Sequence, residues 1–227
     1  VRKLVVLISG TGSNLRALLR AIDDAAGTPD DLGARVVAIG ADTEAANLAL
    51  GDEFGIPTFV VPPAEYPDRT TWGDALLARI REYGPDLTVL SGFMRLVPPS
   101  VVRGLAPALL NTHPSYLPEF PGANAVRDAL TAGATRTGAT IMIVDDGVDT
   151  GPVIDQVRIA IEPGDTVSAL HERIKTAERR LLIETVRGIA HGRVDLVSLT
   201  AAAHSDAMAS RPEDHQTAHA KKESPPS

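Results

Sequence analysis

Apolar residues recur along this chain in two alternating rhythms. Residues 4–9 (LVVLIS) form a continuous aliphatic run, the pattern of a strand buried on both faces. Gly10-Thr11-Gly12-Ser13-Asn14 follows, and Leu15, Ala17, Leu18, Leu19 and Ile22 then fall at helical spacing. The unit reads as strand, glycine loop, helix. Residues 34–39 predict a second strand, residues 44–54 an Ala-rich helix, and residues 56–61 a third strand ended by Pro62-Pro63. Trp72, Ala75, Leu76, Ile80 and Tyr83 make residues 68–83 an amphipathic helix, stopped by Gly84-Pro85 before a fourth buried strand at residues 87–90. Strands alternating with helices imply a parallel sheet with right-handed crossovers.

Beyond residue 100 the texture changes. An apolar run at residues 101–110 leads to Asn111 and His113, and Pro114 and Pro118 stop any regular element. If residues 109–113 end a strand, Asn111 and His113 point to one face. A loop at residues 114–122 precedes a short helix near residues 126–132. Residues 139–144 and 153–161 predict two strands joined by the Asp/Gly/Pro cluster of residues 145–152. Residues 166–189 predict one long amphipathic helix, with Asp165-Thr166 as N-cap candidates and Gly188 as an early stop. From residue 201 the periodicity fails, and residues 201–227 predict a disordered tail. The expected fold is a single α/β domain over residues 1–200, with a Rossmann-like, mostly parallel twisted sheet flanked by helices.

Composition narrows the partners. The 227 residues suit one domain, or one and a half, with an ample core. A formal net charge of −7 argues against a general polyanion binder, and 4% aromatic content leaves few stacking platforms, so no nucleic-acid partner is expected. A small phosphate remains compatible, because backbone N–H groups can hold one without net charge. The absence of cysteine excludes thiolate nucleophiles and Cys-ligated zinc, and fits a reducing cytosol, so a cytoplasmic location is expected. No apolar stretch approaches the ~20 residues that span a bilayer, so no membrane partner is expected.

Four stretches carry candidate chemistry. The Gly10–Asn14 loop lacks the third glycine of a dinucleotide fingerprint, where Leu15 stands, and the Lys of an NTPase loop. It suits one phosphomonoester at a helix N-terminus, or else is a plain turn. Gly92, Phe93, Met94, Arg95, Leu96 and Val97 follow the fourth strand and suit a slot for a flat heteroaromatic ring, or ordinary core closure. Asn111 and His113 pair an amide donor with an imidazole, which suits oxyanion binding and proton transfer; a capped strand end reads the same residues without chemistry. Asp149, brought near His113, would raise the imidazole pKa, or else it serves only a turn. Lys175 and Glu178 share a helix face, where a surface ion pair is the default reading.

Together these motifs resemble the phosphoribosylglycinamide formyltransferase family. The resemblance rests on residues 9–15 (SGTGSNL), 92–95 (GFMR), 111–115 (NTHPS) with Leu117-Pro118 and Pro121-Gly122, and 149–152 (DTGP), in order and spacing over residues 3–200. It implies formyl transfer from 10-formyltetrahydrofolate to glycinamide ribonucleotide, with both as small-molecule partners and the folate as co-substrate. It implies a phosphate-binding half at residues 1–100 and a folate and catalytic half at residues 101–200. Gly12, Ser13 and Asn14 match phosphate-binding positions; Lys175 and Glu178 match positions at the phosphate and ribose. Arg69, Met94, Arg95, Leu96 and Val97 match folate positions, as does Asn111, and the loop of Asp145, Asp146, Gly147, Val148 and Asp149 would close around the pterin. Asn111 would stabilise the oxyanion, His113 act as general acid and Asp149 raise its pKa, with no metal required. A monomer or homodimer is expected.

The chain departs from the family pattern at Asn124, Val126, Thr137 and Met142, where relatives often carry His; these positions are expected around the substrate pocket and bear on ribotide affinity. Formyltetrahydrofolate hydrolase and a non-catalytic ribotide or folate binder are the alternatives. Methionyl-tRNA formyltransferase fits less well, since it would bring an extra RNA-binding domain and a basic face.

Overall fold

A computed structural model describes residues 1–44 and 46–209 of the chain. Seven strands form one sheet: β1 (Arg2–Ile8), β2 (Ala34–Ala41), β3 (Thr58–Val60), β4 (Leu87–Leu90), β5 (Leu109–His113), β6 (Arg136–Ile143) and β7 (Val153–Ala160), in the order β3-β2-β1-β4-β5-β6-β7. The pairs from β3 through β5 are parallel, and β6 and β7 add antiparallel at one edge. The expected mostly parallel sheet is found.

The helices are α1 (Ser13–Ala25), α2 (Ala49–Phe54), α3 (Arg69–Arg81), α4 (Pro99–Leu105), α5 (Ala125–Thr131), α6 (Val167–Ala190) and α7 (Leu196–Ala209). One apolar layer packs β1, β2 and β4 against α1 and α6 through Leu4, Val6, Leu15, Leu18 and Leu182. The other face packs Val5 and Leu7 against α3 and α4 through Trp72, Leu76, Ile80 and Val101. Burial on both faces is what the unbroken aliphatic strands require.

Four elements differ from the sequence expectation. The helix expected at 44–54 forms only from Ala49, because Asn47 is used elsewhere: its N–H donates to the Gly10 carbonyl at 2.9 Å and its side chain to that of Thr11 at 3.2 Å. The apolar run at 101–110 is divided between α4 and β5. Gly188 does not stop α6; a Cβ there would lie 2.9 Å from Val194 Cγ2, so this glycine serves close packing. Residues 201–209, expected to be disordered, are helical in α7, while the rest of the expected tail lies outside the described residues.

Chain direction places the functional edge. The chain runs outward from β1 through β2 to β3, then returns to the other side of β1 as β4. The loops after β1 and β4 therefore diverge at a switch point, where open α/β sheets hold ligands. They are tied together there, as the Ser9 N–H donates to the Gly92 carbonyl at 3.3 Å and the Met94 N–H to Ser9 Oγ at 2.9 Å.

Candidate active site

β5 lies between β4 and β6, so Asn111 sits beside Leu90 on one strand and Met142 on the other. Alternation along the strand turns Asn111 and His113 to one side, and both line a cleft of about 550 Å³. His113 is only 4% exposed. Its Nε2 lies 3.0 Å from the Phe120 carbonyl; because that oxygen can only accept, Nε2 carries the hydrogen. Its Nδ1 lies 3.4 Å from Asp149 Oδ2, which also accepts the Gly122 N–H at 2.7 Å. His113, Phe120, Gly122 and Asp149 thus close a ring of contacts. Phe120 (φ 54°) and Asp149 (φ 53°) are the non-glycine residues with positive φ among the described residues, and both belong to that ring. Each left-handed residue costs roughly 1–2 kcal/mol, strain concentrated where the imidazole is aimed.

The loop bearing Asp149 is organised by its own side chains. Asp145 Oδ1 accepts the Gly147 N–H at 3.0 Å and the Thr150 hydroxyl at 2.9 Å. Asp145, Gly147, Val148 and Asp149 line the cleft. Asp146 does not line it and pairs with Arg103 at 3.9 Å.

Within the cleft the glycine loop meets α6. Gly12 (φ 66°) forms the N-cap of α1, and no side chain caps the helix start, so the first N–H groups stand open to an anion. Asn14 is buried; its Nδ2 donates to Glu178 Oε2 at 3.2 Å, while its Oδ1 has no partner. Burial pushes the Glu178 carboxyl up to about 7, opposed by the Asn14 hydrogen bond and the charges of Lys175 and Arg179. The default surface pair between Lys175 and Glu178 is not made. Lys175 pairs with Glu172 at 2.9 Å, and Glu178 turns into the cleft beside Asn14.

Another part of the lining is apolar. Phe93, Met94, Leu96 and Val97 supply it, and Met94, Leu96 and Val148 are 69%, 54% and 50% exposed. Arg95 lines the cleft while its Nε donates to buried Asp42 at 2.8 Å. Arg69 does not reach the cleft. Its guanidinium donates to the carbonyls of Leu96 at 2.5 Å and Val97 at 3.4 Å, propping the segment from behind. Of the four positions expected around the pocket, Asn124, Val126 and Met142 line it, but Thr137 is buried away from it.

Sequence reasoning overlooked three contributors. The Phe120 carbonyl leaves no mark in a sequence, and Asp42 reads as a turn residue. His171 was readable: it stands four residues before Lys175 and seven before Glu178, on the same helical stripe, and it lines the cleft.

The formyl transferase family pattern matches residues 2–186. Phosphoribosylglycinamide formyltransferase of Mycobacterium tuberculosis is 45% identical over 199 residues, covering 88% of this chain and 90% of that protein. The chain belongs to the phosphoribosylglycinamide formyltransferase family. Human trifunctional purine biosynthetic protein adenosine-3 is 37% identical over 86% of this chain and 19% of that protein. The crystal structure of glycinamide ribonucleotide transformylase 1 from Symbiobacterium toebii superposes with a TM-score of 0.80 at 38% identity, covering 85% of this chain and 89% of the other. A formyltransferase must hold donor and acceptor together, and this one cleft is lined by the glycine loop, by the apolar segment of residues 93–97, and by Asn111 and His113. Among the described residues no helix is long and apolar enough to cross a membrane, and no cluster of three or more His, Asp or Glu is arranged to hold a metal.

Proposed function

We propose that this chain transfers the formyl group of 10-formyltetrahydrofolate to the amine of glycinamide ribonucleotide in purine biosynthesis, acting in the cytoplasm as a monomer or homodimer. The observation that carries the reading is that one cleft is lined by an amide donor, an imidazole, an anion-suited glycine loop and an apolar segment. The glycine loop, with Gly12, Ser13 and Asn14, takes the ribotide phosphate, and Lys175 and Glu178 flank the phosphate and ribose. Met94, Arg95, Leu96 and Val97 grip the folate ring, and the loop from Asp145 to Asp149 closes on the pterin. Arg69 acts at one remove, through the carbonyls it holds.

The ribotide amine attacks the formyl carbon, a C–N bond forms, and the carbonyl electron pair moves to oxygen. Asn111 donates to that oxyanion. Collapse breaks the bond to the folate nitrogen N10; the amine gives up one proton and N10 takes one, so no net proton is exchanged. With the Nε2 hydrogen committed to Phe120, the Nδ1 edge of His113 is the one that delivers a proton. Asp149 is the counter-charge at that edge. No metal and no covalent enzyme intermediate is needed in this scheme.

Incubation with both substrates tests the reading. Formylated ribotide and tetrahydrofolate appearing one to one support it. Formate released without ribotide product would indicate the hydrolase, and binding of both ligands without turnover would indicate a non-catalytic relative.

A further inference from the structure

α6 presents a stripe to the cleft that extends beyond Lys175 and Glu178: Val167 and His171 line it as well. Their spacing of three and four residues keeps all four side chains on one helix face. At about 1.5 Å of rise per residue, His171 stands roughly 6 Å along the axis from Lys175 and roughly 10 Å from Glu178. Glu178 touches Asn14 of the glycine loop, so the stripe starts at that anion-suited loop and His171 continues it along the cleft lining. The imidazole is half-buried and no hydrogen-bond partner within the protein engages it among the described residues. We propose that His171 is a third ribotide-binding side chain of α6, donating to the substrate phosphate beside Lys175. This rests on the ribotide reading above.

The electrostatics favour that role. Partial burial, and then the charge of Lys175, hold the His171 pKa below its ordinary value, against a smaller opposing pull from Glu172. The burial part disfavours any charge, whereas the Lys175 part is a positive field, and that part suits an incoming anion. Lys175 is partly neutralised by Glu172, so a phosphate dianion at the glycine loop finds its formal charge unmatched by Lys175 alone. Phosphate binding supplies the negative charge that brings His171 to its charged form, with two N–H groups in place of one.

The test compares wild type with His171→Ala, His171→Gln and His171→Lys in formyl transfer and in direct titration with glycinamide ribonucleotide. The Ala and Gln variants are expected to raise the ribotide KM and Kd roughly tenfold, the scale of one lost charge-assisted hydrogen bond, with the folate KM unchanged. The Lys variant should recover most of the loss. Thermal melting of each variant verifies folding, and Gln keeps the polarity if Ala does not fold. Unchanged ribotide affinity in the Ala and Gln variants overturns the inference, as does an increase confined to the folate KM. A wild-type protein that does not bind the ribotide overturns the substrate reading beneath it, an outcome separable from the first.

Discussion

His113 faces acceptors on both edges, the Phe120 carbonyl at Nε2 and the Asp149 carboxylate at Nδ1. Asp149→Asn keeps an acceptor for the Gly122 N–H but removes the counter-charge. Turnover is expected to fall on the order of 10²-fold with little change in the melting temperature; a variant with wild-type kcat would remove Asp149 from the chemistry. Glu178 makes a separate prediction for the ligand-free protein. Its carboxyl keeps its proton up to about 7 when folded, against an ordinary value of 4.5. Between those values the folded chain binds more protons than the unfolded one, so stability falls as pH rises, and the full cost is present above about 7. That cost is on the order of 3 kcal/mol. Glu178→Gln should therefore melt above wild type at pH 8 and level with it at pH 4. Parallel melting curves across that range would show that burial does not govern this carboxyl.

Among the elements, the glycine loop depends most on a single backbone angle. Gly12 holds φ 66°, and a Cβ there would lie 2.7 Å from Leu50 Cδ1. Gly12→Ala is expected to cost about 1–2 kcal/mol in denaturant unfolding and to weaken ribotide binding more than folate binding. Equal weakening of both would place the phosphate elsewhere. Much of this level was legible in the sequence. β4 and β5 coincide with their expected limits because proline and glycine punctuate short apolar runs. The helix expected at 44–54 is cut short for a non-local reason: Asn47 braces a loop more than thirty residues away, which local propensity does not express. Arg69 shows the same limit, because its place at the start of α3 does not reveal that its guanidinium reaches backbone carbonyls rather than ligand. His171 differs; its helical spacing was in plain view.

At the scale of the molecule, the switch point between β1 and β4 supplies the ligand edge, and the antiparallel turn of β6 back along β5 adds the second wall. Asn111 and His113 sit between these walls, and Asp149 comes from the loop that follows β6. The sheet thus brings together residues far apart in sequence, as the Asn14–Glu178 bond across 164 positions illustrates. The account stands on Asn111 and His113 acting on a formyl group held in the cleft they line. The most direct measurement is the single-turnover rate of formyl transfer in Asn111→Ala, with both substrates saturating and their dissociation constants measured alongside. The account predicts a rate loss on the order of 10²–10³ with both dissociation constants nearly unchanged. An undiminished rate, or a loss explained wholly by weaker binding, would contradict it.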